Sequence, residues 1–129
     1  MKIVVDTCVF LAVAMREPER EHIIDVTAGH RLIAPELLPF EIGNALIGMV
    51  RKGALRRDEL ASAWDAVQQI AVELRPVDIQ AALDIAVRNG IHAYDAYFLE
   101  CARDMRSPLL TLDRRMKQVA RETHITVLE

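Results

Sequence analysis

Residues 2–6 read KIVVD and residues 109–113 read LLTLD. Each is a short run, apolar at nearly every position, closed by an aspartate. Such runs suit strands of a parallel sheet covered on both faces. Three further stretches have the same character: 31–34 (RLIA), 72–75 (VELR) and 124–128 (HITVL), with the LLTLD strand spanning 108–112. Helical patterns lie between them. Residues 18–28 begin with Pro18 and Glu19 and stop before Gly29, and residues 36–52 carry a long apolar stripe ending at Gly53. Residues 58–71 have Asp58 as a plausible N-cap, and residues 76–89 run from Pro76 to an Asn89–Gly90 stop. Residues 93–106 and 113–122 complete the set. This order of elements implies an α/β domain with a mostly parallel sheet of four to five strands. In such sheets ligands sit beyond the C-terminal ends of the strands, which is where Asp6 and Asp113 fall.

Two more carboxylates stand in apolar, helix-forming surroundings, Glu41 in LLPFEIGNALIGMV and Asp95 in HAYDAYFLECA. On a helix, Glu41 shares a face with Asn44, Ala45 and Gly48, which leaves room and offers oxygen atoms, while Leu38, Ile42, Leu46 and Met49 take the other side. Each acid has an ordinary explanation when taken singly. Asp6 and Asp113 can be helix N-caps, Glu41 can face solvent, and Asp95 can complement a helix dipole. Together they suggest more. Crowded carboxylates repel and raise one another's pKa, and a hard divalent cation bound through oxygen relieves that repulsion.

Composition narrows the classes. The chain has 129 residues, 52% apolar and 27% charged, with a net charge of −3, which suits one folded domain able to bury a core. No stretch approaches the ~20 apolar residues of a membrane span. Asp6 interrupts the apolar N-terminal run, so it does not read as a signal peptide, and a cytoplasmic protein is expected. Cys8 and Cys101 are too few for a disulfide framework and are expected to be thiols without a special role. His22, His30, His92 and His124 have no metal-ligand spacing. The net charge disfavours generic nucleic-acid binding. Arg103 to Arg121 nevertheless holds six basic residues against two acidic ones, and Arg51, Lys52, Arg56 and Arg57 form a second cluster, either of which can meet phosphates locally or simply be solvated. Trp64 and Tyr97 fall at spacings that favour core packing over base stacking.

The segments IVVDTCVFLA, APELLPFEIGNAL, HAYDAYFLECA and LLTLDRRM, in that order and spacing, resemble the PIN-domain family, and within it the small VapC-like toxin ribonucleases of type II toxin–antitoxin modules. The resemblance spans nearly the whole chain and implies a single three-layer α/β/α PIN-like domain over residues 1–129. It implies that Asp6, Glu41, Asp95 and Asp113 hold Mg²⁺ or Mn²⁺, with Thr7, Asn44 and Thr111 supporting them. It further implies metal-dependent hydrolysis of RNA phosphodiester bonds to 5′-phosphate and 3′-hydroxyl ends. Arg114, Arg115 and Lys117 become candidates to hold substrate phosphates. Many relatives have Ser where this chain has Cys8, a position not expected to be a ligand. Some carry a further acid where this chain has Arg114 and Arg115, which implies one ion held by the protein and a second only with substrate. A cognate antitoxin, laid across the helices at 18–28 and 36–52, and a homodimer are implied as well. A PIN-fold protein that binds a partner with little or no nuclease activity is the alternative, but the full quartet of acids speaks against it. A dehalogenase-type phosphohydrolase needs a second Asp where Cys8 stands. A response-regulator receiver needs paired acids after the first strand and a Lys after the last. A P-loop NTPase needs a Gly-rich loop before Lys-Ser/Thr. None of these is present.

Overall fold

A computed structural model describes all 129 residues. Strands β1 (Lys2–Val5), β2 (Arg31–Pro35), β3 (Glu73–Arg75) and β4 (Leu109–Leu110) form one sheet in the order β3-β2-β1-β4. Every pairing is parallel. β1 lies in the middle, with Val4 opposite both Ile33 and Leu109, and its Ile3, Val4 and Val5 are fully buried. A strand paired on both edges and covered on both faces must be apolar throughout, which is the pattern of KIVV.

The helices are α1 (Thr7–Ala14), α2 (Arg20–Thr27), α3 (Leu38–Arg51), α4 (Leu60–Gln68), α5 (Ile79–Asn89), α6 (Ala93–Met105) and α7 (Arg114–Glu122). α1 packs with α2, α3 and α4, and α6 packs with α5, α7 and the sheet. Phe10 and Phe98 are the largest fully buried side chains, and burying each contributes roughly 1.5–3 kcal/mol. Trp64 and Tyr97 pack against this core, as their spacing predicts. No helix is long and apolar enough to cross a membrane.

Four local expectations need correction. Residues 124–128 form only a single parallel bridge, Leu109 to Val127, and not a strand. The chain leaves α7 with His124 in the left-handed region, at φ 62°, and β4 is only two residues long, so the ladder has little to extend. At β4 itself pairing stops at Leu110, short of the expected Leu112. Asp58 does not cap a helix. The chain enters α4 through a 3₁₀ turn over Arg57–Glu59, where Arg56 donates from its backbone N–H to Glu59 (2.9 Å) and from its side chain to Asp58 (3.1 Å). Finally, α5 starts at Ile79, not Pro76, because Asp78 accepts the Ala81 N–H at 3.1 Å and acts as the cap.

Candidate functional site

The topology brings the four acids to one edge. Asp6 directly follows the carboxyl end of β1, and Asp113 stands three residues beyond the carboxyl end of β4. Glu41 sits in the first turn of α3, which leaves the same edge after β2. α6 runs back to feed the parallel strand β4, so its first turn, with Asp95, also lies at the carboxyl edge. That edge is where ligands of open parallel sheets bind.

Asp6 is the most buried of the four, at 6% exposure. Its Oδ1 accepts the Thr7 N–H at 2.8 Å. Its Oδ2 accepts the Thr111 hydroxyl at 2.7 Å and the Cys8 thiol at 3.2 Å. The Asp6 N–H donates to the Leu110 carbonyl at 3.0 Å, locking the end of β1 to the end of β4. Asp113 caps α7, accepting the N–H groups of Arg115 (2.8 Å) and Met116 (3.1 Å), and its own N–H donates to Thr111 Oγ1 at 3.1 Å. Both strand-end acids therefore do the capping that elementary helix chemistry asks of them.

Electrostatics shows how close the four are. Asp6 is raised above the usual carboxylate range by burial, offset in part by its hydrogen bonds from Thr111, Cys8 and Thr7, and raised further by Asp113. Glu41 is pushed up to about 7, first by burial, then by the charge of Asp6 and, more weakly, of Asp95. Asp95 is raised by burial and by the charges of Asp6 and Asp113, with His92 pulling the other way. None of the molecule's ion pairs includes any of the four acids. Glu41 Oε2 and Thr7 Oγ1 are buried without a hydrogen-bond partner; the hydroxyl lies near enough to favour ionised Glu41 but closes no bond of good geometry with it.

Excess negative charge, an orphaned buried carboxylate oxygen and an all-oxygen donor set fit a hard divalent cation. As the side chains stand, no three of these groups close on one point as a finished cage, and like charges keep carboxylates apart. Asp6, Glu41, Asp95 and Asp113 are the residues that would hold such an ion. Of the supporting positions, Thr7 and Thr111 touch the site. Asn44 is exposed on α3 and takes no part in the hydrogen-bond network. Arg114 is exposed, Lys117 is half-buried, and Arg115 donates to the Asn89 carbonyl at the end of α5 at 2.7 Å.

Among known proteins, the model of the PIN domain matches residues 3–122. The chain belongs to the PIN-domain family. This PIN protein is 29% identical over 123 residues to Ribonuclease VapC3 of Pyrobaculum aerophilum, covering 92% of this chain and 94% of that one. Its fold superposes on the crystal structure of PAE2754 from the same organism with a TM-score of 0.69, at 26% identity over 92% of this chain and 84% of that one. The VapBC2 structure from Rickettsia felis, bound to a DNA fragment from their promoter, has a similar fold, with a TM-score of 0.66 at 12% identity over 100% of this chain and 98% of that one.

Sequence reasoning missed two neighbours of the PIN site. Cys8, expected to have no special role, hydrogen-bonds the central carboxylate; its place two residues after Asp6, one helical step beyond the strand end, was the available signal. His92, scattered among the other histidines by spacing, precedes α6 as its N-cap residue and favours ionised Asp95. A cavity of about 450 Å³, lined by Arg103, Arg106 and His124 among others, lies at the amino ends of the strands, away from the acids.

Proposed function

We propose that this protein is a metal-dependent endoribonuclease, the toxin of a toxin–antitoxin pair, with Asp6, Glu41, Asp95 and Asp113 as the ligands of Mg²⁺ or Mn²⁺. The observation that carries the reading is four carboxylates without ion pairs at the carboxyl edge of a PIN sheet, three of them with pKa values raised by burial and by one another's charge. Its similarity to a protein named as a ribonuclease supports the substrate class. The bound ion would lower the pKa of a water and offset the charge of the scissile phosphate.

The chain's own residues do the rest. Thr7, Cys8 and Thr111 hold Asp6 in one orientation. The carboxylates act mainly as ligands, and Glu41, whose Oε2 is free of hydrogen bonds, would be the one to accept the proton of the attacking water. Arg114 and Lys117, on the first turn of α7, and Arg115 beside them reach the phosphates that flank the cleaved bond. A cognate antitoxin and a homodimer belong to the same proposal. Exposed Ile24, Phe40 and Ile47 on α2 and α3 offer an apolar face to a partner helix, and Ile79, Leu83 and Val87 form an exposed ridge on α5. The protein is taken to act in the cytoplasm as one domain over residues 1–129.

The test is cleavage of structured RNAs, total tRNA included, by the wild type and Asp95→Asn in Mg²⁺, Mn²⁺ or EDTA. Fragments with 5′-phosphate ends, formed only by the wild type and only with metal, are expected. Equal cutting by the variant, or cutting in EDTA, would overturn the proposal.

A further inference from the structure

We propose that Cys8 is a positioning residue that couples the turn after β4 to the Asp6 carboxylate, an inference that rests on the metal-dependent reading of the site. Two relays converge on Asp6 Oδ2. In one, the Asp113 N–H donates to Thr111 Oγ1 at 3.1 Å and the Thr111 hydroxyl donates to Oδ2 at 2.7 Å. In the other, the Leu112 N–H donates to Cys8 Sγ at 3.5 Å and the thiol donates to Oδ2 at 3.2 Å. The two relaying atoms, Cys8 Sγ and Thr111 Oγ1, are 3.7 Å apart. Successive backbone amides of the segment that carries Asp113 thus reach one oxygen of Asp6 through two side chains, one from each strand end.

The consequence is geometric. Asp6 and Asp113 come from segments 107 residues apart, counted from their positions, and a cation held by both would need their oxygens kept at a set separation. Thr111 sets that separation from the β4 side. Cys8, on the first turn of α1, sets it from the β1 side, and without its thiol the Leu112 N–H loses its partner and Asp6 loses one of three restraints. Partners that orient metal ligands typically change affinity or activity by about 10–100-fold. A thiol is a weak donor, so the lower end of that range applies. The role is positioning: the sulphur hydrogen-bonds to a ligand, and no part of the proposal has it touch the ion or the RNA.

The experiment compares wild type, Cys8→Ser, Cys8→Ala and Cys8→Val by Mn²⁺ titration calorimetry and by steady-state cleavage, with circular dichroism in EDTA to show that each is folded. Val keeps the bulk of the side chain without a donor, and Ser keeps the donor. Mn²⁺ affinity is expected to fall about 10-fold in Cys8→Ala and Cys8→Val, with kcat falling more than KM, and to recover in Cys8→Ser. Wild-type affinity in folded Cys8→Val or Cys8→Ala overturns the role of Cys8 and leaves the metal reading standing. A wild type that takes up no Mn²⁺ overturns both.

Discussion

The Thr111 hydroxyl donates a 2.7 Å hydrogen bond to Asp6 Oδ2 while accepting the Asp113 N–H at 3.1 Å. One buried side chain, 1% exposed, therefore ties the acid that closes the central strand to the one that follows the neighbouring strand β4 by three residues. Its hydrogen bond is also the largest influence opposing the burial that pushes Asp6 up.

Thr111→Val keeps the shape and removes both bonds. It should cost about 1–3 kcal/mol, because the Asp113 N–H and Asp6 Oδ2 lose a buried partner. Urea unfolding in EDTA measures the loss. Mn²⁺ binding should weaken in the same variant, and a Val variant with unchanged stability would deny Thr111 this bridging role.

Glu41 makes the metal-free protein sensitive to pH. Its pKa is about 7 in the folded chain against an ordinary 4.5, so between these values the folded state holds a proton that the unfolded state has released. Stability is then full below about pH 4.5 and falls as pH rises through about 7. For a half-buried group the loss should be on the order of 1–3 kcal/mol. Asp6 and Asp95, raised as well, act in the same direction. Glu41→Gln should remove its share, so urea midpoints in EDTA at about pH 5 and about pH 8 should differ less for the variant than for the wild type. The same pH dependence in both would contradict the assignment.

Arg106 ends α6 in the left-handed region at φ 49°, where a side chain is strained and glycine is not. Arg106→Gly should stabilise the fold by about 0.5–1 kcal/mol, read as a rise in Tm. A fall in Tm would mean that the arginine side chain contributes more than the strain costs.

Arg114 is exposed and without an ion pair, whereas Arg115 is already bonded to the Asn89 carbonyl. Arg114→Ala should raise KM for RNA several-fold and reduce its salt dependence, as losing one phosphate contact does. Arg115→Ala should additionally lower Tm, since the link between α7 and the end of α5 goes with it. Steady-state kinetics at two salt concentrations separates the two.

Much of this was legible in the chain. KIVVD and LLTLD could be read as parallel strands because each is apolar almost throughout, and the small face of α3 marked Glu41 as something other than a solvated acid. Asp6 and Asp113 invited two readings, cap and ligand, and the caps are both present. What the chain hides depends on which strands become neighbours. Cys8 meets Asp6 within two residues, but its partnership with Leu112 spans 104 residues and exists only because β4 pairs with β1. The lost strand at 124–128 is the converse case: a β-branched run with the right local pattern found only two residues of β4 to pair with, after a left-handed turn at His124. Local propensity yielded there to tertiary context.

The most direct test of the central claim is calorimetric titration of Mn²⁺ into the wild type and Asp6→Asn, each shown to be folded. The account predicts saturable binding to the wild type, strengthening as pH rises through the Glu41 pKa because the ion displaces protons, and its loss in Asp6→Asn. Equal Mn²⁺ binding by the two proteins, or none by either, would contradict it.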